Sequence, residues 1–287
     1  ATATDNLGLD GVAVSWSLDG APQDPFPLAA QGDGLYLGYF PIAAPGAGAT
    51  VAYSVTATDA AAAANTAVSG PHALTLVDAP GRVLLVDADG VTLQAAAIPP
   101  SADLMEAALT GAGYLLTRKA PAAVTAADLD GVQMLAVACG GNISPASVLP
   151  LRPLIREWTE AGGRLFAEGG QLVATVLATA ADTAFARDVL HVDSWLMDLG
   201  GNWVRDPAHA AHPVLTTPNL LPSTVGVTPA SYADQDVVSP AGDAQRLWGS
   251  AAFAPGAGLV AFEDGGAVGA RGLTLTCNLA ALPDTSQ

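Results

Sequence analysis

Two positions in this chain could carry a nucleophile. Cys139 closes the apolar run Val132-Gln-Met-Leu-Ala-Val-Ala138 and precedes Gly140-Gly-Asn142. It therefore stands at the carboxyl edge of an expected parallel strand, where α/β sheets bind ligands. The second position is the corner in Gly163-Gly-Arg-Leu-Phe-Ala-Glu-Gly-Gly-Gln-Leu172, which reads as a buried strand, a Gly-Gly turn and the first turn of a helix. Such a corner lifts one side chain above the sheet and aims helix N–H groups at it, which stabilises an anionic nucleophile. Here it offers only Ala167 and Glu168, neither a thiol nor a hydroxyl. Cys139 is then the rival nucleophile, with His191, His209 or His212 as its base. The plainer reading of Cys139 is a small buried residue, because free cysteine is among the most buried types.

Other groups invite metal or acid–base readings. Asp87, Asp89 and Glu168 are expected at one sheet edge, where paired carboxylates bind cations or move protons. The simpler role is capping helices and holding loop backbone. Asp5, Asn6, Asp59 and Asn65 are candidate calcium ligands at one end of the N-terminal region. Their alternative is Asx-turn chemistry, in which these side chains bond nearby backbone. His191, Asp193, His209 and His212 follow no zinc-ligand spacing. Gly140-Gly-Asn142 is no phosphate loop, because no Lys-Ser/Thr follows it. No other cofactor is expected.

Composition narrows the partners. The net charge is −17 and Lys119 is the only lysine. Such a chain repels polyanions, which excludes nucleic acid as an expected partner. No apolar run is long enough for a membrane span. Two cysteines, Cys139 and Cys277, exclude a disulfide scaffold and a Cys-rich zinc module.

The elements that must position these residues fall into two regions, 1–79 and 80–287. In the first, Val12–Leu18 and Thr50–Ala57 alternate apolar and polar residues, Gly34–Phe40 and Ala73–Val77 are further strands, and Asp19-Gly20 is a turn. In the second, Arg82-Val-Leu-Leu-Val-Asp87 is a continuous apolar strand, the mark of burial on both faces. A helix from Ser101, a strand at Tyr114–Thr117, the strand before Cys139, a helix from Ser144 to Ala161 and the strand Arg164–Glu168 follow in alternation. Another helix spans Gln171–Ala178, and Phe185–His191 is helical. Residues 192–250 show few clear elements, and Gly258–Phe262 and Leu273–Asn278 are late strands joined by a hairpin turn. The expected fold class is an all-β, immunoglobulin-like sandwich followed by a doubly wound, mostly parallel α/β sheet of the flavodoxin type.

Two resemblances bear on this. Ala3-Thr-Asp-Asn-Leu-Gly-Leu9, Val12-x-Val-x-Trp16 and Val51-Ala-Tyr-Ser-Val-Thr-Ala-Thr-Asp59 with Asn65 resemble the immunoglobulin-like or fibronectin-like modules of bacterial secreted peptidases and surface proteins. That resemblance implies a further strand before Ala1. Val83–Asp87, Gly131–Asn142 and Gly169-Gly-Gln-Leu172 resemble the class I glutamine amidotransferase-like fold. Its Gly-x-Cys-x-Gly elbow would place the thiol at Ala167, or at Glu168 with a register slip, and its His-x-Glu partner is not evident, so the resemblance implies a degenerate domain.

The expectation is a non-catalytic structural or binding module pair of a larger secreted or cell-surface bacterial protein, accessory to a peptidase and partnered by other domains or surface proteins. The alternatives are a cysteine-dependent hydrolase or amidotransferase-like enzyme using Cys139, and a self-assembling fibre or surface-layer subunit.

Overall fold

The computed structural model describes residues 1–5, 8–42, 48–89, 99–142, 144–179, 182–198, 201–227, 235–263 and 271–282. The chain divides into two compact units, 1–78 and 79–287.

In the first unit, β1 (Leu9–Leu18) turns through Asp19 and Gly20 into β2 (Ala21–Pro27). Both turn residues have positive φ, the backbone a tight hairpin needs. β3 (Ala29–Gly32) and β4 (Leu35–Leu37) form a separate two-stranded ladder, and β5 (Thr50–Asp59) and β6 (Thr66–Thr75) complete a four-stranded antiparallel sheet ordered β2-β1-β5-β6. The alternation read in β1 puts Val12, Val14 and Trp16 inward. Trp16 packs edge-on against Phe40 at 5.4 Å. β2 carries Pro22, Pro25 and Pro27, which suits its edge position because proline cannot serve two ladders.

The second unit begins with β7 (Arg82–Asp87), α1 (Ser101–Gly111), β8 (Leu115–Lys119) and β9 (Met134–Ala138). A 3₁₀ turn leads into α2 (Arg152–Glu160) and then β10 (Arg164–Glu168). The segment after the corner is a short α3 (Leu172–Ala174) running into a π-helical turn at Thr175–Thr179, followed by α4 (Thr183–Asp188). Next come β11 (Val192–Asp198), β12 (Trp203–Arg205), α5 (Pro213–Thr216) and β13 (Thr224–Val225). β14 (Asp236–Pro240), β15 (Gln245–Ser250), β16 (Ala257–Glu263) and β17 (Arg271–Leu275) close the order.

β8, β7, β9, β10 and β17 lie side by side in parallel ladders. Their apolar runs are buried on both faces. In β7, Val83 and Leu85 pack with Ala102 and Met105 of α1, while Leu84 and Val86 join the cluster on the other face that holds Ile155 and Phe185. At roughly 1.5–3 kcal/mol per fully buried aliphatic side chain, these four alone justify a continuous apolar strand.

The expected fold class needs correction in both halves. The first unit is not an all-β immunoglobulin-like sandwich: β6 is exposed along its whole length, and beside the four-stranded sheet the described residues of this unit form only the short two-stranded β3–β4 ladder. Nor is the second sheet mostly parallel. Of its eleven strands five run in parallel ladders, and the other six, β11 to β16, join through antiparallel ladders. The sequence pattern misled because Pro-, Gly- and Asn-rich residues 192–250, read as nearly featureless, supply five of those strands. Their core is built on Trp203, Leu215, Leu247 and Trp248.

Candidate functional site

Two strand ends meet where the parallel ladders finish. In register, Glu168 at the end of β10 faces Ala138 of β9 on one side and Leu275 of β17 on the other. Cys139 follows Ala138, and Cys277-Asn278 follows Leu275, so both cysteines and Glu168 share the carboxyl edge of the sheet. Both cysteines are free and buried. β10 separates their strands, so they stand two strand spacings apart, about 10 Å, which is too far for a disulfide.

Glu168 is wholly buried. One carboxyl oxygen accepts the backbone N–H groups of Cys139 at 3.2 Å and Gly140 at 3.0 Å. The other accepts the Leu279 N–H at 3.0 Å and lies 2.5 Å from Ser101 Oγ. Ser101 Oγ also lies 2.7 Å from Asn278 Oδ1, which is identified as the carbonyl oxygen by the Ala280 N–H it accepts. These three oxygens in a row need two protons between them. The serine supplies one; a protonated Glu168 supplies the other. Desolvation acts in the same direction and pushes the Glu168 carboxyl up to about 7, against the Leu279 and Gly140 N–H groups, whose hydrogen bonds favour the charged form.

Cys139 gains nothing from this setting. Burial, then the negative charges of Glu168 and Asp89, hold its thiol well above the usual range. A thiol nucleophile needs the opposite environment, an electropositive and partly exposed one. The elbow glycine closes the gap: Gly169 has φ +147°, and a Cβ there would stand 2.5 Å from Cys139 Cβ. Ser101, the first residue of α1, spends its hydroxyl on this network. The cap comes from Asp89, whose carboxylate accepts the Ala102 N–H at 2.8 Å. Burial raises the pKa of Asp89 too. Asp87 is neutralised by Arg118 at 2.7 Å, and the same guanidinium reaches Asp103 and Glu106. The acidic edge thus caps, pairs and seals.

The histidines lie elsewhere. His191 stacks on Phe262 at 3.7 Å and faces Asp243 at 3.3 Å. Its ring lies against Gly272, which pairs with Leu165 near the start of β10. His212 sits 3.9 Å from Glu263, whose ladder partner is Arg271. Three to four residues of strand, roughly 10–13 Å, separate these positions from Leu275 and the Glu168 edge. His209 turns its Nδ1 to the Arg246 carbonyl. The structure therefore brings Cys139 and Glu168 together and places His212 apart from both. The His212 Nδ1 accepts the Val214 N–H at the start of α5, a capping role.

A second buried carboxyl was not anticipated. Asp236 opens β14 with no exposed surface, accepts the Trp195 indole N–H at 2.7 Å and faces Asp198 across the β11–β14 ladder. Desolvation pushes it up to about 8. Nothing in the local pattern Asp-Val-Val-Ser-Pro announces a buried acid. Ser101 and Asn278 were also missed, although a polar residue ending an apolar strand, as in Thr276-Cys-Asn278, is a usable signal.

The calcium candidates divide. Asp59 accepts the Asn65 amide at 2.6 Å and the backbone N–H groups of Asn65 and Ala61, which is Asx-turn bonding. Asp5, Asp59 and Asn65 line one cavity of the first unit, and Asn6 falls outside the described residues. Among the described residues no group of three or more His, Cys, Asp or Glu side chains is arranged to hold a metal. No described helix is long and apolar enough to cross a membrane.

No protein-family model and no curated protein sequence matches the chain. Among solved structures it is similar to a ThuA-like protein from Bacteroides uniformis, at 12% identity and a TM-score of 0.45 over 73% of this chain and 85% of that one. It is similar to a glutamine amidotransferase from Thermotoga maritima at 11% identity and a TM-score of 0.41, over 70% and 76%. The N-terminal domain of IFT52 is similar at 7% identity and a TM-score of 0.43, over 70% and 88%. The likeness is coarse, and the chemistry of the edge has to be read from its own residues.

Proposed function

We propose that this chain is a non-catalytic structural or binding module. One observation carries the reading: the strand–turn corner, where a nucleophile would stand, holds a buried carboxyl group whose oxygens are occupied by three backbone N–H groups and the Ser101 hydroxyl. A side chain so engaged ties β9, β10, α1 and the segment after β17 together and has no capacity left for substrate. The rival reading, a hydrolase using Cys139, needs an accessible thiolate and a base. Burial opposes the first, and the distance to His191 and His212 opposes the second.

The test is alkylation of the native protein with iodoacetamide, followed by peptide mapping. Cys139 is expected to label only after denaturation, at a native rate at least about a thousandfold below that of the unfolded chain. Rapid, stoichiometric labelling of Cys139 in the folded protein would overturn the proposal.

A further inference from the structure

The second unit holds a cavity that the Glu168 corner does not use. It lies at the start of β10 and β17, the end of the parallel ladders away from Glu168, and has a volume of about 290 Å³. That is close to the lower bound for small-molecule sites, about 300 Å³. His191 forms part of its wall, with a side chain only 8% exposed. Three contacts fix the ring. Phe262 stacks on one face at 3.7 Å, Asp243 lies 3.3 Å from Nδ1, and Gly272 brings bare backbone to the Cδ2–Nε2 edge. A Cβ at Gly272 would stand 3.2 Å from Cδ2, tighter than ordinary packing. An ionised carboxylate only accepts hydrogen bonds, so in the neutral ring the proton sits on Nδ1 and Nε2 is a bare acceptor. Burial favours that neutral form. Nε2 has no hydrogen-bond partner among the described residues and is not sealed from solvent. The His191 backbone is left-handed, with φ +55°, a conformation few non-glycine residues adopt and one that recurs at ligand clamps.

Charge selects the ligand. Three carboxylates, Glu160, Asp188 and Asp243, line the cavity against one guanidinium, Arg271, a formal charge of −2 with His191 neutral. Glu160 and Asp188 make no hydrogen bond or ion pair among the described residues, and the Asp188 charge is felt at His191. Arg271 is 61% exposed and turns to Glu263 at 3.8 Å. The wall therefore offers acceptors that lack donors, in a field that draws cations. Its residues are not arranged to hold a metal ion, which leaves an organic cation.

We propose that this cavity binds the head group of a small organic cation, an alkylammonium or alkylguanidinium. The His191 Nε2 accepts an N–H of the head group, and Glu160 and Asp188 balance its charge. The stacking on Phe262 and the contact with Asp243 hold the imidazole at one angle before the ligand arrives, which lowers the cost of binding. This goes beyond the non-catalytic reading and is tested independently of it, since one turns on labelling of Cys139 and the other on the His191 cavity.

The experiment titrates the full, isotope-labelled chain with propylammonium, propylguanidinium, propionate and propanol, and follows the histidine ring nitrogens in long-range proton–nitrogen NMR spectra at neutral pH. Free His191 is expected to carry its proton on Nδ1. At least one of the two cations should bind saturably, at least about tenfold more tightly than propionate or propanol, and move the His191 Nε2 resonance. His191→Asn, which keeps a residue tolerant of left-handed backbone, should weaken binding at least about tenfold. Two exposed changes keep the test open should that variant fail to fold. Asp188→Asn should weaken cation binding at least about threefold, and Arg271→Gln should tighten it at least about twofold. Equal binding of propionate or propanol, cation binding that leaves the His191 Nε2 unmoved, an affinity unchanged in both Asp188→Asn and Arg271→Gln, or no binding of either cation would each overturn the proposal. So would a free His191 protonated on Nε2.

Discussion

The Ser101 hydroxyl lies 2.5 Å from the Glu168 carboxyl, which joins the first turn of α1 to the end of β10 across 67 positions of sequence. The contact is buried and shares its serine oxygen with Asn278, so three separate segments meet at one hydroxyl group. Removing the carboxyl should therefore cost more than its volume. Glu168→Ala leaves the Gly140 and Leu279 N–H groups without their acceptor, while the Cys139 N–H keeps the main-chain carbonyl of residue 168 at 2.9 Å, and a loss of about 3 kcal/mol is expected in urea unfolding. Glu168→Gln is expected to cost only about 1 kcal/mol. Its carbonyl can serve Cys139 and Gly140 and its amide can donate to Ser101, so only the Leu279 N–H is left facing a donor. Equal losses in the two variants would refute this division.

The same pair predicts a pH dependence. Glu168 is raised in the folded state from an ordinary 4.5 to about 7, so its contribution to stability is full below 4.5 and is lost as pH rises through 7. Other groups titrate in that window. Asp236, raised from 3.8 to about 8, acts in the same direction. His191 and His212, lowered from 6.5 by burial, act oppositely, because their unfolded forms take up protons below 6.5. The whole-protein profile is therefore a mixture. The informative quantity is the difference between wild type and Glu168→Gln, measured by denaturant unfolding at intervals from about pH 4.5 to 8, the span of these titrations. Wild type should gain on the variant as pH falls through this range. A constant difference would mean that Glu168 does not change protonation there.

Gly169 offers a steric test of the elbow. Any side chain there faces both a φ of +147° and a Cβ contact of 2.5 Å with Cys139. Gly169→Ala should destabilise by roughly 2–4 kcal/mol from strain and overpacking together. If the clash is the larger part, Cys139→Gly in the same chain should recover some of the loss, and a double-mutant cycle in urea measures how much. Strict additivity would leave backbone strain as the sole cause.

These residues also show where sequence reading succeeds and stops. The strands β7, β9 and β10 were legible because burial on both faces leaves an unbroken apolar run. The corner at Glu168 was legible from its glycines, and the absence of a thiol there was plain. The partners of Glu168 were not, because Ser101 and Asn278 lie 67 positions before and 110 positions after it, and no local period encodes a contact of that range. Strands β11 to β15 escaped for a different reason. They are antiparallel, short or bulged, as the register shifts in β11–β14 and β15–β16 show, and the intervening prolines and glycines mask alternation. In the first unit the alternation of Val12, Val14 and Trp16 correctly gave an inward face, yet a face does not specify what covers it. The sandwich expectation failed at that step.

Asp236 provides the last test, because its burial predicts a gain from an amide. Its carboxyl accepts the Trp195 indole N–H and stands across the ladder from Asp198, with desolvation as the chief cause of its rise to about 8. Above pH 8 the folded wild type must hold a buried charge, whereas Asp236→Asn keeps an oxygen for Trp195 and carries none. The variant is therefore expected to be more stable than wild type at about pH 9. At about pH 5, where Asp236 is protonated in the folded protein, the advantage should disappear or reverse, since the wild-type proton is then available to a neighbouring acceptor. Guanidinium unfolding at the two pH values decides the matter. Were Asp236→Asn equally destabilising at both, the carboxylate would be held by attractions stronger than its desolvation, and the Trp195 hydrogen bond would be the first place to look.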